Sequence, residues 1–390
     1  MFQYRLLVTI SLAAALFMVG VGMIVPLLPQ RIISLSGSMD SVGYIASMFA
    51  LTYLMLQLPI GSMADKLGAK PFLVFGYILC GISGLIFFYA QTPKTIFLGR
   101  LVQGAGEAPI WALGPALLSL AYPYAKGRVI GIYNAAIHAG LTAGPLLGIL
   151  LFPSGSSNTP FLIFAVLCFC AGTATLLLLP QRATAVEERF EQTPGLKALV
   201  KLFRLRGPQI TLIGILIYGA AYGIFTSVLP AYLVLSKGFD NQSIGVFFAL
   251  FYIAISVSQL IVGPLSDRHG RSVFMIAGLG IASMGVALFD PLPHPWVYLP
   301  LTLASFGLGV FCVSSMAHLN ECVPRSLKAS ISGSYYLSWG VGFFFGPILV
   351  GQVGEIFSPE FGYYILALSM LGLAGMFWSH DRRTETAIRI

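Results

Sequence analysis

The residues best suited to chemistry are Arg100, Gln103, Glu107 and Trp111. On a helix, Glu107 and Trp111 fall within about 20° of Arg100, and Gln103 about 60° from that line. One helix face would therefore carry a guanidinium, an amide, a carboxyl and an indole. Arg100 and Glu107 stand about 10 Å apart at 1.5 Å rise per residue. That is too far for direct pairing, so water or substrate is expected to bridge them. Apolar surroundings oppose charge on Glu107, whereas a guanidinium favours it. A carboxyl held between these influences can take up or release a proton as access changes. Glu107 is thus the candidate proton carrier, with Arg100 tuning it or holding an anionic group. The bland alternative is a buried ion pair that only fixes helix packing.

Other polar positions form weaker stripes. Asn134, His138 and Thr142 recur every four residues, as do Ser314, His318 and Cys322. His138 and His318 suit either proton transfer near neutral pH or plain packing. Tyr218, Tyr222 and Phe225 share helical spacing, and Tyr335, Tyr336 and Trp339 lie further on. These aromatics fit an apolar or planar cationic ligand, or ordinary membrane packing. A substrate cavity would draw on Gln103, Trp111, Asn134, Tyr218, Tyr222 and Ser314. The five cysteines fall within or at the ends of apolar stretches. Neither a disulfide framework nor a metal site is expected, and Cys168-x-Cys170 reads as small apolar residues in a helix. No nucleophile–base pair, nucleotide loop or metal-ligand cluster is evident, so an enzyme is not expected.

The elements that position these residues follow from composition. The chain has 390 residues, 57% hydrophobic and only 9% charged. Soluble domains carry about 25% charged residues, so charge is too scarce to cover a water-facing surface. A polytopic membrane protein remains. Stretches of about 20 apolar residues occur twelve times, near 5–32, 40–64, 71–90, 94–122, 128–152, 159–180, 208–236, 241–265, 272–289, 295–321, 327–352 and 360–379. The first is too long for a signal peptide and reads as an uncleaved helix. No alternation suggests a β-barrel. Eighteen of the 22 Lys and Arg lie at the termini and in the loops on their side, against three in the opposite loops. The positive-inside rule then places both termini in the cytoplasm. The net charge of +8 suits anionic lipid head groups and needs no nucleic acid.

The twelve stretches divide into residues 1–180 and 207–390, joined by a charged cytoplasmic linker at 181–206. A short amphipathic helix is conceivable within it near Leu196–Leu205. The halves align at a nearly constant offset. Gly22 and Pro29 match Gly223 and Pro230. Gly61, Asp65 and Gly68 match Gly263, Asp267 and Gly270. Gly131, Gly140, Gly144 and Pro145 match Gly333, Gly342, Gly346 and Pro347. Parallel repeats of this kind suit a transporter that rocks around a midplane site. The counterpart of Arg100 is about Leu303, so its charge is not a duplicated feature.

At these residues the chain resembles the major facilitator superfamily. Gly61-Ser-Met-Ala-Asp65-Lys66-Leu-Gly68-Ala-Lys70 is similar to that family's signature loop, departing at Met63 and Ala69. The second copy is Gly263-Pro-Leu265-Ser-Asp267-Arg268-His-Gly270-Arg271. Gly131-x8-Gly140-x3-Gly144-Pro145-x2-Gly148 resembles the antiporter signature of drug:proton antiporters, with Ile149 replacing a final glycine. The resemblance implies an all-α fold of twelve transmembrane helices in two pseudo-symmetric six-helix bundles. It implies that Asp65 meets the start of helix 11, near Ser330–Gly333, and closes the cytoplasmic side. It also implies that the helix-5 glycines seal against helix 8.

The expected function is proton-coupled export of a small organic compound, drug-like or amphipathic, by alternating access. The proton gradient would drive it with no cofactor. The partners would be substrate, protons and the lipid bilayer. The chain would act as a monomer in the inner or plasma membrane. The alternatives are an uptake symporter or uniporter for a small, possibly anionic, metabolite, and a non-transporting membrane receptor or assembly factor.

Overall fold

A computed structural model describes residues 2–36, 41–122, 126–152, 157–179, 206–322 and 328–388. The 181–206 linker therefore lies almost wholly outside the described residues, as does its conceivable amphipathic helix. The described secondary structure is helical, without strands. In chain order the helices are α1 (Phe2–Ile24), α2 (Leu27–Ser36), α3 (Tyr44–Leu67), α4 (Ala69–Tyr89), α5 (Pro93–Ala121), α6 (Lys126–Leu151) and α7 (Thr159–Leu178). They continue as α8 (Arg206–Thr226), α9 (Val228–Lys237), α10 (Asn241–His269), α11 (Arg271–Leu288), α12 (Tyr298–Glu321), α13 (Lys328–Ile356) and α14 (Phe361–Ile388). Two expected spans are each broken once. Pro26 follows the end of α1, and Ser227 separates α8 from α9. With those pairs joined, the helices match the twelve apolar stretches of the sequence.

Among the described residues, ten segments are long and apolar enough to cross a membrane. The helix α5 has the length but is not among them. Arg100, Gln103 and Glu107 lower the hydropathy of the helix that carries the candidate chemistry.

Contacts group the chain into two compact units. The first comprises Met1–Gln192 with Leu233–Ala249, and the second Thr193–Tyr232 with Leu250–Ile390. In the first unit α1 packs on α6 and α7, and α5 lies against both α3 and α4. In the second, α8 packs on α13, and α11 lies against α12 and α14. Each core is built from fully buried aromatic and aliphatic side chains. Phe17, Phe87 and Phe164 lie in the first unit, and Phe225, Phe311 and Tyr363 in the second.

The duplication seen in sequence is reproduced contact by contact. A Cβ added at Gly140 would lie 2.6 Å from the Ala15 carbonyl oxygen, and one at Gly342 would collide with that of Leu216. Gly144 meets Val19 and Gly22 of α1, and Gly346 meets Ala220 of α8. Gly22 abuts Pro145, and Gly223 abuts Pro347. The α4–α5 contact is repeated too. Gly76 faces the Gly106 carbonyl, and Gly278 faces that of Gly307. Small residues let helix backbones touch where lipid offers no hydrophobic drive to associate.

The helix-5 stripe packs on α1 as well as facing the helix named by the resemblance. Gly140 and Gly144 seal against α1, because their missing side chains leave room for its carbonyls. Gly148 makes only a loose contact with Met23, and nothing among the described residues lies within 4 Å of a Cβ at Gly131. The helix-8 partner, α10, is met at Gly245, where an added Cβ would collide with Ile149 and lie 3.8 Å from the Pro145 carbonyl oxygen, within the same unit. Gly144→Ala should therefore destabilise the protein by about 1–3 kcal/mol, the cost of overpacking against groups that cannot yield. Gly131→Ala should be nearly silent. Thermal unfolding of both variants in one detergent checks the contrast.

Candidate functional site

The local sequence fixes where α5 begins. Thr92 is extended, and its hydroxyl accepts from the Thr95 amide at 3.4 Å, while Pro93 opens the helix. Proline is favoured in a first turn, where its missing N–H costs nothing. Two glycines then let neighbours approach from different sides. A Cβ at Gly104 would collide with the Phe49 carbonyl of α3, and one at Gly106 would lie 2.7 Å from both Cys80 Sγ and the Gly76 carbonyl of α4. The Thr52 hydroxyl donates to the Leu101 carbonyl at 2.7 Å and ties α3 down. Held this closely, α3 presents Ile45 and Phe49 to Arg100.

The four residues singled out on this face are joined in one hydrogen-bonded chain. Arg100 Nη1 donates to Gln103 Oε1 at 2.9 Å, and Gln103 Nε2 donates to Glu107 Oε1 at 2.9 Å. Trp111 Nε1 donates to Glu107 Oε2 at 2.9 Å. Arg100 Nε donates to the Ile45 carbonyl at 3.0 Å, and its guanidinium carbon lies 4.6 Å from the Phe49 ring centre. Arg100 and Glu107 are 6% and 5% exposed, and Gln103 is fully buried. Each carboxylate oxygen is therefore matched by a neutral donor. The positive charge is spread over a carbonyl, an amide and an aromatic face.

This geometry departs from the sequence reading in one respect. Gln103, not water or substrate, spans the gap between Arg100 and Glu107. Its amide is matched in polarity, with oxygen toward the guanidinium and nitrogen toward the carboxylate. Ile45 and Phe49 were not foreseen. Their role is carried by a backbone carbonyl and a ring face, which no motif records.

The second unit supplies an internal comparison. The Gly76–Gly106 contact matches Gly278–Gly307, which aligns Gln103 and Glu107 with Ala304 and Leu308 and moves the counterpart of Arg100 from the expected Leu303 to Leu301. All three counterparts are buried and apolar. The same helix seam thus forms without any charge at those positions. Between these two seams, buried charge belongs to α5 alone.

The remaining candidates are distributed between the units. His138 is half-buried on α6, and Asn134 is exposed on the same helix. In the second unit Tyr222 is the hub of an aromatic cluster. Its ring centre lies 6.2 Å from Tyr218, 5.3 Å from Phe251, 5.9 Å from Trp339 and 6.3 Å from Phe343. Cys312 Sγ lies 3.4 Å from the Tyr335 hydroxyl. Ser314 is fully buried, with no hydrogen-bond partner for its hydroxyl among the described residues. His318 Nε2 lies 3.3 Å from Cys322 Sγ.

The two signature loops share one backbone device. Gly68 and Gly270 have φ of 83° and 92°, the left-handed region that suits glycine. Each separates two consecutive helices. In the second loop Arg271 pairs with Asp267, meets Glu321 Oε1 at 3.0 Å and donates to the Ser266 hydroxyl at 2.6 Å. It thereby ties the loop to the end of α12, a role for Glu321 not read from the sequence. Arg268 is exposed and Gly263 is loosely surrounded. The surroundings of Gly61, Asp65, Lys66 and Ser330–Gly333 lie outside what is described, so the expected Asp65 contact does too.

Replacing Gln103 tests the chain directly. Gln103→Leu keeps the volume but strips one hydrogen bond from each buried charge. A loss of about 1–3 kcal/mol per unsatisfied group follows. A lowered melting temperature, recovered in part by Arg100→Leu/Gln103→Leu/Glu107→Leu, is the expected result. The triple change makes this face apolar, as its counterpart in the second unit is, with Leu where that unit has Ala304.

Comparisons with known proteins agree with this architecture. A family model described as the Major Facilitator Superfamily matches residues 10–247 and 211–389. The class H tetracycline resistance protein of Pasteurella multocida is 22% identical, with 94% of this chain and 92% of that protein covered. Multidrug resistance protein 1 of Bacillus subtilis is 23% identical, with 91% of each covered. A crystal structure of the nucleoside transporter NupG superposes with a TM-score of 0.77 at 18% identity, covering 96% of this chain and 98% of that one.

Proposed function

Because the chain belongs to the major facilitator superfamily, and is thus a multi-pass membrane transporter and not an enzyme, we propose that it exports a small organic compound in exchange for protons. The transporter class comes from the family; substrate, direction and coupling are our reading. The observation that carries it is the Arg100–Gln103–Glu107–Trp111 chain. A membrane helix places a carboxyl out of water only at considerable cost, roughly 2.5–3.5 kcal/mol or more. The second unit forms the same seam with Leu301, Ala304 and Leu308, so packing does not demand the charge. A carboxyl kept there for another purpose is suited to carrying a proton.

In this reading Glu107 is the group that loads and unloads. When Glu107 is ionised, both oxygens accept from Gln103 and Trp111, and Arg100 balances the charge through the amide. When it is protonated, one of those donors must turn away, and the guanidinium loses its counter-charge. Protonation is thus transmitted along α5 to Arg100 and on to α3. Alternating access needs a link of this kind between proton occupancy and helix packing. The aromatic cluster around Tyr222 suits a planar or amphipathic substrate. Relatives named for tetracycline and multidrug resistance favour the drug-like class. With few lysines and arginines on the opposite loops, the positive-inside rule sets both termini in the cytoplasm. The proton gradient across the inner or plasma membrane would drive transport without a cofactor. An uptake carrier for an anionic metabolite receives less support, because Arg100 already spends donors on Ile45 and Gln103.

The test is transport in proteoliposomes with an imposed pH gradient, using tetracycline and ethidium as probes. The wild type should accumulate one of these against its gradient, with proton flow in the opposite sense. Glu107→Gln should keep probe binding and lose the dependence on the pH gradient. Normal coupling in that variant would remove Glu107 from the mechanism.

A further inference from the structure

The two donors that hold Glu107 are not alike. Gln103 is fully buried and tied at both ends, its oxygen on Arg100 and its nitrogen on Glu107. Trp111 makes one hydrogen bond, from Nε1 to Glu107 Oε2, and its indole is part-exposed. The other sides of the carboxyl are closed. Gly106 is pressed against Cys80 of α4. Cys80 and Cys168 of α7, both fully buried, lie within electrostatic reach of Glu107. Toward the start of α5 stand Gln103 and then the buried Arg100. Of these neighbours, Trp111 alone is not buried.

The backbone beneath the indole is also looser than the backbone beneath the amide. Gly104 is pressed on the Phe49 carbonyl, and Thr52 donates to the Leu101 carbonyl, so the turn carrying Gln103 is clamped to α3. Pro109 and Pro115 lie further along the same helix. A proline has no N–H, so the carbonyl four residues before it loses its helix partner. Those carbonyls belong to Ala105 and to Trp111 itself. The turn that carries the indole is therefore short of one backbone bond on either side. Among the described residues, no other aromatic ring packs on Trp111.

A protonated Glu107 needs only one of its two donors. Turning the Gln103 amide away breaks its bonds to both Arg100 and Glu107, in a clamped and fully buried turn. Turning the indole away breaks one bond, in a loosened and part-exposed turn. From this geometry we infer that Trp111 is a lid over Glu107 with its indole N–H as the latch, so that the proton site meets water when this one side chain swings while Gln103 stays in place. Trp111 acts through Glu107 and is a positioning residue. In the positive-inside reading the end of α5 beyond Trp111 points to the cytoplasm, so the lid governs exchange with that side. The inference rests on Glu107 as the group that loads and unloads. It requires neither the drug-like substrate nor the direction of transport.

Carboxyl labelling of the purified full-length protein in lipid tests the lid with no substrate and no gradient. The probe is a water-soluble carbodiimide with glycine ethyl ester, read by mass spectrometry at Glu107 and, as internal standard, at the exposed Glu321. The ratio of Glu107 to Glu321 labelling should be low in the wild type. Trp111→Phe keeps a ring but loses the latch. A hydrogen bond to a charged group favours the closed position by a factor of about ten or more, so this ratio should rise about tenfold. Trp111→Ala removes the cover as well and should raise it further. Gln103→Leu takes the same kind of bond from the other carboxylate oxygen but opens no path, so its ratio should stay well below that of Trp111→Phe. A wild-type ratio in Trp111→Phe would overturn the latch, and one in Trp111→Ala the lid. An equal rise in Gln103→Leu would overturn both. Coupling is read separately on Glu107→Gln, where no carboxyl remains to label, so failure of the lid and failure of the proton-carrier role are told apart.

Discussion

The constraint on which the first unit depends is the cost of keeping a guanidinium and a carboxylate out of water. Two such charges are tolerated only when every polar atom around them is matched. The arrangement around α5 meets that demand with very little polar material. One amide links the pair, one indole covers the far oxygen, and one backbone carbonyl and one ring face receive the guanidinium. The surrounding packing follows from this. The Ile45 carbonyl can accept from Arg100 only if α3 runs within touching distance of α5. Gly104 is where that approach is permitted. A larger residue at Gly104 would cost packing energy and would also draw the partners of Arg100 away.

The glycine seams play a different part. Contacts between α1 and α6 recur between α8 and α13, and contacts between α4 and α5 recur between α11 and α12. A seam that appears in both units at the same register solves a general problem, the close approach of helices in lipid. The stripe through Gly140 and Gly144 belongs to this class, since Gly342 and Gly346 make the same contacts in the second unit. Its presence therefore says little about exchange or direction. The position that does differ is Ile149, which meets α10 at Gly245.

Much of this was legible in the sequence because it depends on period and composition. The twelve apolar stretches, the duplicated glycines and the helix-4 face follow from 100° per residue and a preference for lipid. What the sequence could not show depends on three-dimensional neighbours. Gln103 lies about 60° off the Arg100–Glu107 line, which makes it look peripheral. Side-chain length brings its amide between the two charges. The Phe49 ring and the Ile45 carbonyl carry no sequence signature, and Glu321 becomes a partner of Arg271 only once α12 ends beside the loop.

The asymmetry between the units is what separates function from scaffold. Where the repeats agree, as in the seams and in the positive φ of Gly68 and Gly270, the shared feature answers a need common to both. Where they disagree, the fold has shown that it can do without the feature. Leu301, Ala304 and Leu308 occupy the register of Arg100, Gln103 and Glu107 and complete an equally buried helix. The polar chain in α5 therefore contributes no packing that apolar residues could not supply. Its desolvation cost is borne in one unit only, which is the pattern expected of a group whose change of charge is the point of its position.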